Sequence, residues 1–392
     1  MRTVICDLTR AQLSAAGVCC DVAFCREDLV SAHDCTGCFG CWVSTPGVCV
    51  MHDSLGDLDV LLARTDELTV MSRMTFGWVS PIVKRALDRS IGYLHPNFRI
   101  ADGQMHHRLR YADHKLTLNF RLYGPSAEAE RSCARTIAAA NALNLGARLT
   151  GVRFPSNEKS AGTENDAPAV DAAERPVPAR GVPRRVALVN ASPRGGRSAT
   201  AHLLGDLAEA LPVYARMAGV DAPELVRATV RDVGALAGCD AVVLGYPLYV
   251  DALPSGMVDL LVRARDELAP GARVYALANM GFYEAEQIAP SFSVIEGFCA
   301  AAGLCWSGGV AVGAGGMVLP VAKTPRMGMM RRGVSEVIDQ LIMALLAGAN
   351  AGAIEVRPPV PRFAYRLAAE AQWRRLAHEH GADLDARPAD AG

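Results

Sequence analysis

Apolar and polar positions along the chain repeat one pattern twice. Short apolar runs fall at residues 2–6 (R-T-V-I-C), 67–72 (E-L-T-V-M-S), 186–189 (V-A-L-V), 241–246 (A-V-V-L-G-Y) and 273–279 (R-V-Y-A-L-A-N). Runs without alternation predict strands buried on both faces of a parallel sheet. Further strands are predicted at 116–122 and 148–154. Helical spacing follows several of them. Leu203, Leu204, Leu207, Ala210 and Leu211 share one face, and helices are predicted over 126–146, 253–265 (Pro254 near the start) and 333–346. Ser80 and Pro81 read as the cap and first position of another helix. Strand and helix alternate, so the expected class is α/β, with two doubly wound parallel-sheet domains in tandem. Between them, residues 156–184 are rich in Pro, Ala and charge with almost no large apolar side chain, which predicts an extended linker. The expected organisation is 1–155, linker 156–184, 185–350, and a C-terminal helical tail 351–392.

Composition narrows the class of protein. At 392 residues the chain is long enough for two cores. A formal net charge of −1 gives no argument for nucleic acid or for an anionic membrane. No run spans a bilayer, and the opening M-R-T-V-I-C-D-L-T-R has no secretory core, so the expected location is cytoplasmic. Of the 12 cysteines, those at 6, 19, 20, 25, 35, 38, 41 and 49 crowd the start of the chain. In a cytosolic protein that density points to metal or redox chemistry rather than structural disulfides.

The most informative stretch is R-V-A-L-V-N-A-S-P-R-G-G-R-S-A-T, residues 185–200. It runs from buried strand through a small, hydroxyl-rich loop into a helix. A helix start offers unpaired N–H groups and a positive dipole end to an anion, and Ser192, Arg194, Ser198 and Thr200 add donors. An ordinary strand-to-helix turn capped by a serine fits the loop equally well. Two further loops end strands on the same rim: Pro247, Leu248, Tyr249 and Val250, and then Asn279, Gly281, Phe282 and Tyr283. Gly281 permits close approach to a planar ligand. Three loops therefore converge at the carboxyl ends of strands, where open α/β sheets bind ligands.

These stretches, with F-C-A-A-A-G-L-C-W-S-G-G-V-A-V-G-A-G-G-M, resemble the NADPH-dependent FMN reductase family, a branch of the flavodoxin-like proteins. The resemblance covers about residues 185–316, with Ala191 where the family usually has Gly. It implies that Ser192, Arg194, Ser198, Ala199 and Thr200 hold the FMN phosphate. It also implies that Pro247–Val250 and Asn279–Tyr283 lie along the ring, with NAD(P)H as co-substrate. No side chain stands out as an acid–base catalyst. The electron acceptor is a small molecule or a protein, and the two halves pair within one chain or as a homo-oligomer.

In the first half, Cys35, Cys38, Cys41 and Cys49 are spaced C-x2-C-x2-C-x7-C. Four thiolates there suit a [4Fe–4S] cluster; zinc and free thiols packed under Trp42 are the other readings. The stretch resembles a segment that iron–sulfur flavoproteins of the same family use for a cluster. That sets two alternatives beside the reductase: an electron carrier between cluster and FMN, and a non-enzymatic flavin-binding module whose cysteines sense oxidation. The match in this half runs to about Tyr111 and includes S-P-I-V-K-R-A-L-D-R. The first strand leads into D-L-T-R-A-Q-L-S, where glycine is absent and Asp7 would repel an anion, so this half is expected to lack a phosphate loop. Phe76 and Trp78 are expected against the other domain or over its flavin, and 91–111 reads as irregular. His106 and His107 read as surface or inter-domain hydrogen bonders rather than a chelating pair. In the tail, Phe363, Tyr365 and Trp373 are candidate anchors.

Overall fold

The structure is a computed structural model that describes residues 1–155 and 181–391. The chain divides into two compact units, Met1–Ala169 with Arg366–Gly392, and Val170–Tyr365. Most of the predicted linker lies outside the described residues.

The first unit holds strands β1 (Arg2–Cys6), β2 (Val22–Phe24), β3 (Glu67–Arg73), β4 (Leu94–Ala101), β5 (Gln104–Leu109), β6 (Thr117–Tyr123) and β7 (Arg148–Arg153). Five of them form a parallel sheet in the order β2-β1-β3-β6-β7. Numbered within that sheet, this is 2-1-3-4-5, the flavodoxin-like order. Its central strands bury Val4, Ile5, Leu68, Val70, Leu118 and Phe120 almost completely. Helix Glu128–Leu145 covers it and ends at Gly146 in the left-handed conformation (φ 64°). A Cβ there would come within 2.5 Å of Leu109 Cδ1, so glycine is required on steric grounds as well.

The second unit holds β8 (Arg185–Asn190), β9 (Glu224–Thr229), β10 (Ala241–Pro247), β11 (Arg273–Asn279), β12 (Cys305–Val312) and β13 (Ala353–Val356). Its parallel sheet has the order β13-β12-β11-β10-β8-β9, the same winding with one strand added at the edge. Helices Ala199–Met217 and Arg332–Leu346 close one core, with Leu203, Leu207, Leu211, Ile338, Leu341 and Leu345 packed on Val186, Leu188, Val243 and Val310. Gly245 lets the first of these helices lie close to the sheet, because a Cβ there would meet Leu204 Cδ1 at 2.6 Å. The chain is therefore α/β with two flavodoxin-like sheets.

Several expectations change. The stretch 91–111 is not irregular: β4 and β5 form an antiparallel hairpin outside the sheet. Asp102 (φ 49°) and Gly103 (φ 77°) make its turn, the Asp-Gly pair that a two-residue hairpin favours. His106 is buried and pairs through Nδ1 with Asn144 at 2.7 Å. His107 pairs with the Pro96 carbonyl and sits 4.6 Å from the Trp42 ring. Both are internal to the first unit rather than on its surface. Trp78 is also core there, 5.1 Å from Phe120. Helix Arg362–Glu379 contains the three candidate anchors, but Phe363 is 69% exposed. Tyr365 donates to the Gly281 carbonyl at 2.5 Å, and Trp373 packs edge-on against Phe39 and Trp42. Among the described residues, no helix is long and apolar enough to cross a membrane.

Candidate functional site

In the second unit the winding reverses between β8 and β10, and the crevice at that reversal is where doubly wound sheets bind ligands. The loop 191–198 leaves β8 at that crevice. Asn190 organises the turn: its Oδ1 accepts the Ser192 N–H (3.1 Å) and its Nδ2 donates to the Gly195 carbonyl (3.0 Å). Ser198 caps the 19-residue helix Ala199–Met217, accepting the Ala201 N–H at 3.0 Å and donating to Gly195 at 2.7 Å. With Ala201 served, Ala199 and Thr200 carry the N–H groups that an α-helix leaves outside its own ladder. Ser192 and Ser198 are buried beneath the loop, while Arg194 and Arg197 are exposed on it. The Ser192 hydroxyl, a helix start and arginine together make a donor set that a phosphate could use.

The second loop leaves β10 as a tight turn. Tyr249 and Ala252 exchange two backbone hydrogen bonds, at 3.0 and 3.1 Å, around Val250 (φ 43°) and Asp251 (φ 57°). A β-branched residue in the left-handed region is strained, and such strain concentrates at functional sites. Leu248 N–H donates to the Asn279 carbonyl at 2.8 Å, which ties this loop to the third. The Asn279 amide donates to Thr200 Oγ1 (2.8 Å) and to the Tyr246 carbonyl (3.2 Å). Asn279 and Thr200 thus brace the floor of the crevice against each other. Replacing Asn279 with Ala leaves Thr200 and the Tyr246 carbonyl without that donor; we expect a loss of about 1–3 kcal/mol in urea unfolding.

The third loop is held from outside. Tyr283 donates to the Val360 carbonyl at 3.0 Å, Tyr365 takes the Gly281 carbonyl, and Arg362 pairs with buried Glu284 at 2.9 Å. Gly313 and Gly315 pack under it, since Cβ atoms there would meet Tyr283 O at 2.3 Å and Asn279 Oδ1 at 3.0 Å. The tail segment 357–365 is therefore part of the rim. No signal in the sequence joined it to Gly281, because the contacts are long-range.

The first unit repeats this geometry residue by residue with different side chains. Asp7 N–H reaches the Met71 carbonyl just as Ala191 N–H reaches Gly245. Met74 N–H donates to Tyr123 O as Leu248 does to Asn279 O, both at 2.8 Å. Thr75 and Trp78 close a turn around Phe76 (φ 53°) and Gly77 (φ 92°), matching Tyr249–Ala252. Asp7 occupies the position of Ala191. Its carboxylate accepts from the Tyr123 hydroxyl, from Arg73 N–H at 2.9 Å and from Ser72 at 3.2 Å. Burial and the neighbouring Asp7 charge push the Tyr123 hydroxyl far up, which keeps it a donor. A buried carboxylate thus sits where the second unit has Ala191.

The four spaced cysteines cluster in the first unit. Cys38 is exposed, Cys35 and Cys49 are half-buried, and Cys41 is buried. Burial pushes the Cys35 thiol up to about 12 and Cys41 well up, with the other thiols adding in the same direction. Among the described residues, no group of three or more His, Cys, Asp or Glu side chains is arranged to hold a metal ion. Beneath Cys41 lies Asp59, fully buried, accepting the Tyr93 N–H at 3.1 Å through Oδ1 while Oδ2 has no partner. Burial pushes its carboxyl up to about 7. A raised folded pKa favours the protonated form, so this contribution to stability is full below about 3.8 and is lost as pH rises towards about 7. Asp59→Asn should flatten that fall in the urea midpoint across the window. Asp53 has the opposite sign: burial raises it, but two Arg89 bonds of 2.9 Å outweigh burial and hold it low.

No family model matches the chain, and no curated protein does. Among solved structures, an azoreductase from Bacillus anthracis str. Sterne is similar over 42% of this chain and 98% of its own, at 11% identity and a TM-score of 0.29. The class assigned here therefore stands on strand order and crevice geometry.

Proposed function

We propose that the second unit binds FMN and that the chain is an NAD(P)H-dependent flavin oxidoreductase. The observation that carries this reading is the loop 191–198 at the winding reversal, feeding a 19-residue helix whose cap is Ser198. Ser192, Arg194 and the Ala199 and Thr200 N–H groups would take the phosphate, with Ser198 holding the helix start in place. The strained Tyr249–Ala252 turn and the braced loop 279–283 would flank the ring. The flavin, when bound, supplies hydride and electron transfer. The protein supplies position: Asn279 fixes two loops, and Tyr283, Glu284 and the segment 357–365 fix the third. The acceptor belongs to the class of oxidised small molecules or redox proteins. The first unit, with Asp7 in its crevice, would bind no second flavin.

The test is the visible spectrum of FMN-loaded protein under anaerobic conditions, before and after NADPH. Two flavin bands that bleach with NADPH support the reading. Bands that persist under excess NADPH and NADH remove the reductase assignment and leave a flavin-binding module.

A further inference from the structure

The cysteine loop of the first unit is independent of the flavin reading. Cys35, Thr36, Gly37 and Cys38 form a C-x-x-C, the spacing of thiol–disulfide couples. Gly37 turns the chain in the left-handed conformation (φ 64°), and Phe39 follows with φ 58°, unusual for a bulky side chain. The strain is held by packing: Phe39 stacks on Trp42 at 5.2 Å, and Trp42 donates to the Ile91 and Leu94 carbonyls at 2.9 and 3.0 Å. Gly40 has no room for a side chain, since a Cβ would lie 2.5 Å from Val50 Cγ1. The result is that the Gly40 N–H points at the Cys38 sulfur, 3.4 Å away. Cys38 is the exposed thiol of the group, and Cys35, three positions before it, is half-buried.

We propose that Cys35 and Cys38 form a thiol–disulfide couple that reduces disulfides of peptides or small thiols, with Cys38 attacking and Cys35 resolving. In the first step the Cys38 sulfur, having given its proton to water, attacks a disulfide R–S–S–R′. A Cys38–S–S–R bond forms, the S–S bond of the reagent breaks, and R′–S⁻ leaves and takes up a proton. In the second step Cys35 gives its proton to water and attacks Cys38 Sγ, breaking the Cys38–S–R bond. The Cys35–Cys38 bond forms and R–S⁻ leaves. Two electrons pass from the chain to the reagent, and an external dithiol restores the pair by the reverse exchange. The Gly40 N–H stabilises negative charge on Cys38 as attacking group and again as leaving group.

The experiment uses the full-length reduced chain, freed of metal with a chelator, and the aromatic disulfide 5,5′-dithiobis(2-nitrobenzoate). The expected result is a fast release of two equivalents of thiol, no nitrobenzoate bound at Cys35 or Cys38, and a peptide pair Cys35–Cys38 lighter by two hydrogens. Cys35→Ser should release one fast equivalent and trap the adduct on Cys38. Cys38→Ser should lose the fast phase, leaving reaction at exposed Cys19, which we expect to be roughly tenfold slower. Glutathione disulfide should give the same linked pair. A stable adduct on wild-type Cys38, a Cys38–Cys49 link instead, or a Cys38 no faster than Cys19 would overturn the proposal. Thermal melts of both serine variants distinguish lost chemistry from lost fold.

Discussion

If the second unit binds FMN as proposed, Ala191→Asp is expected to weaken that binding severely. The variant writes into the second unit the side chain that the first unit already carries at the same place. Asp7 and Ala191 both end the first strand of their sheets and both donate to the third strand, at 3.4 and 2.8 Å. In the first unit the carboxylate has Tyr123, Ser72 and Arg73 N–H around it. In the second, Asn279 stands where Tyr123 does, so the new carboxylate would lack the tyrosine hydroxyl and would face the proposed phosphate position. A like charge at the helix start removes the favourable field there and adds repulsion. We expect FMN affinity to fall by at least roughly a hundredfold, about 2.8 kcal/mol. Ala191→Gly should bind as well as wild type, because the loop's donors are untouched. Flavin fluorescence quenching measures both, and circular dichroism confirms that each variant is folded. Undiminished binding by a folded Ala191→Asp chain would place the phosphate elsewhere.

Trp42→Ala is the second large effect, and it falls on stability. The ring is 3% exposed and packs on Phe39 (5.2 Å), His107 (4.6 Å) and Trp373 (5.3 Å). It therefore links the cysteine loop, the β4–β5 hairpin and the C-terminal helix within the first unit. Truncation opens a cavity among three elements and leaves the Ile91 and Leu94 carbonyls without their donor. Loss of a buried Trp of this kind costs about 3–5 kcal/mol. The check is urea unfolding followed by far-ultraviolet circular dichroism. Trp42→Phe should recover much of the packing but not the two hydrogen bonds. A midpoint shift no larger for Ala than for Phe would show that the cluster is ornamental to folding.

Long apolar strands were readable because a two-faced burial leaves a continuous signature: β1, β3, β8, β10 and β11 all carry it. Short edge strands were not. β2 has three residues, and β9 and β13 are half-exposed, so their patterns are no different from loop. The β4–β5 hairpin hid because its side chains mix histidine, arginine and apolar residues, yet its Asp102-Gly103 turn was in plain view. Position within the crevice was only partly legible. The hydroxyl loop at 192–200 declared itself by composition, and Asp7 by its charge. That Asn279 serves as a brace, and that Tyr283 faces the 357–365 segment, depend on contacts 33 to 79 positions apart. Local pattern carries no record of such pairs. The four cysteines show the converse limit: their spacing was visible, but the depth of each thiol came only with the packing around Trp42.

The central claim is that the loop 191–198 is a phosphate site for a flavin. The most direct measurement compares FMN with riboflavin, which lacks the phosphate, by fluorescence quenching on one preparation of the full-length chain. The account predicts that FMN binds at least roughly a hundredfold more tightly, since Ser192, the helix start and Arg194 would act only on the phosphate. Equal affinity for the two, or binding of neither, would contradict it.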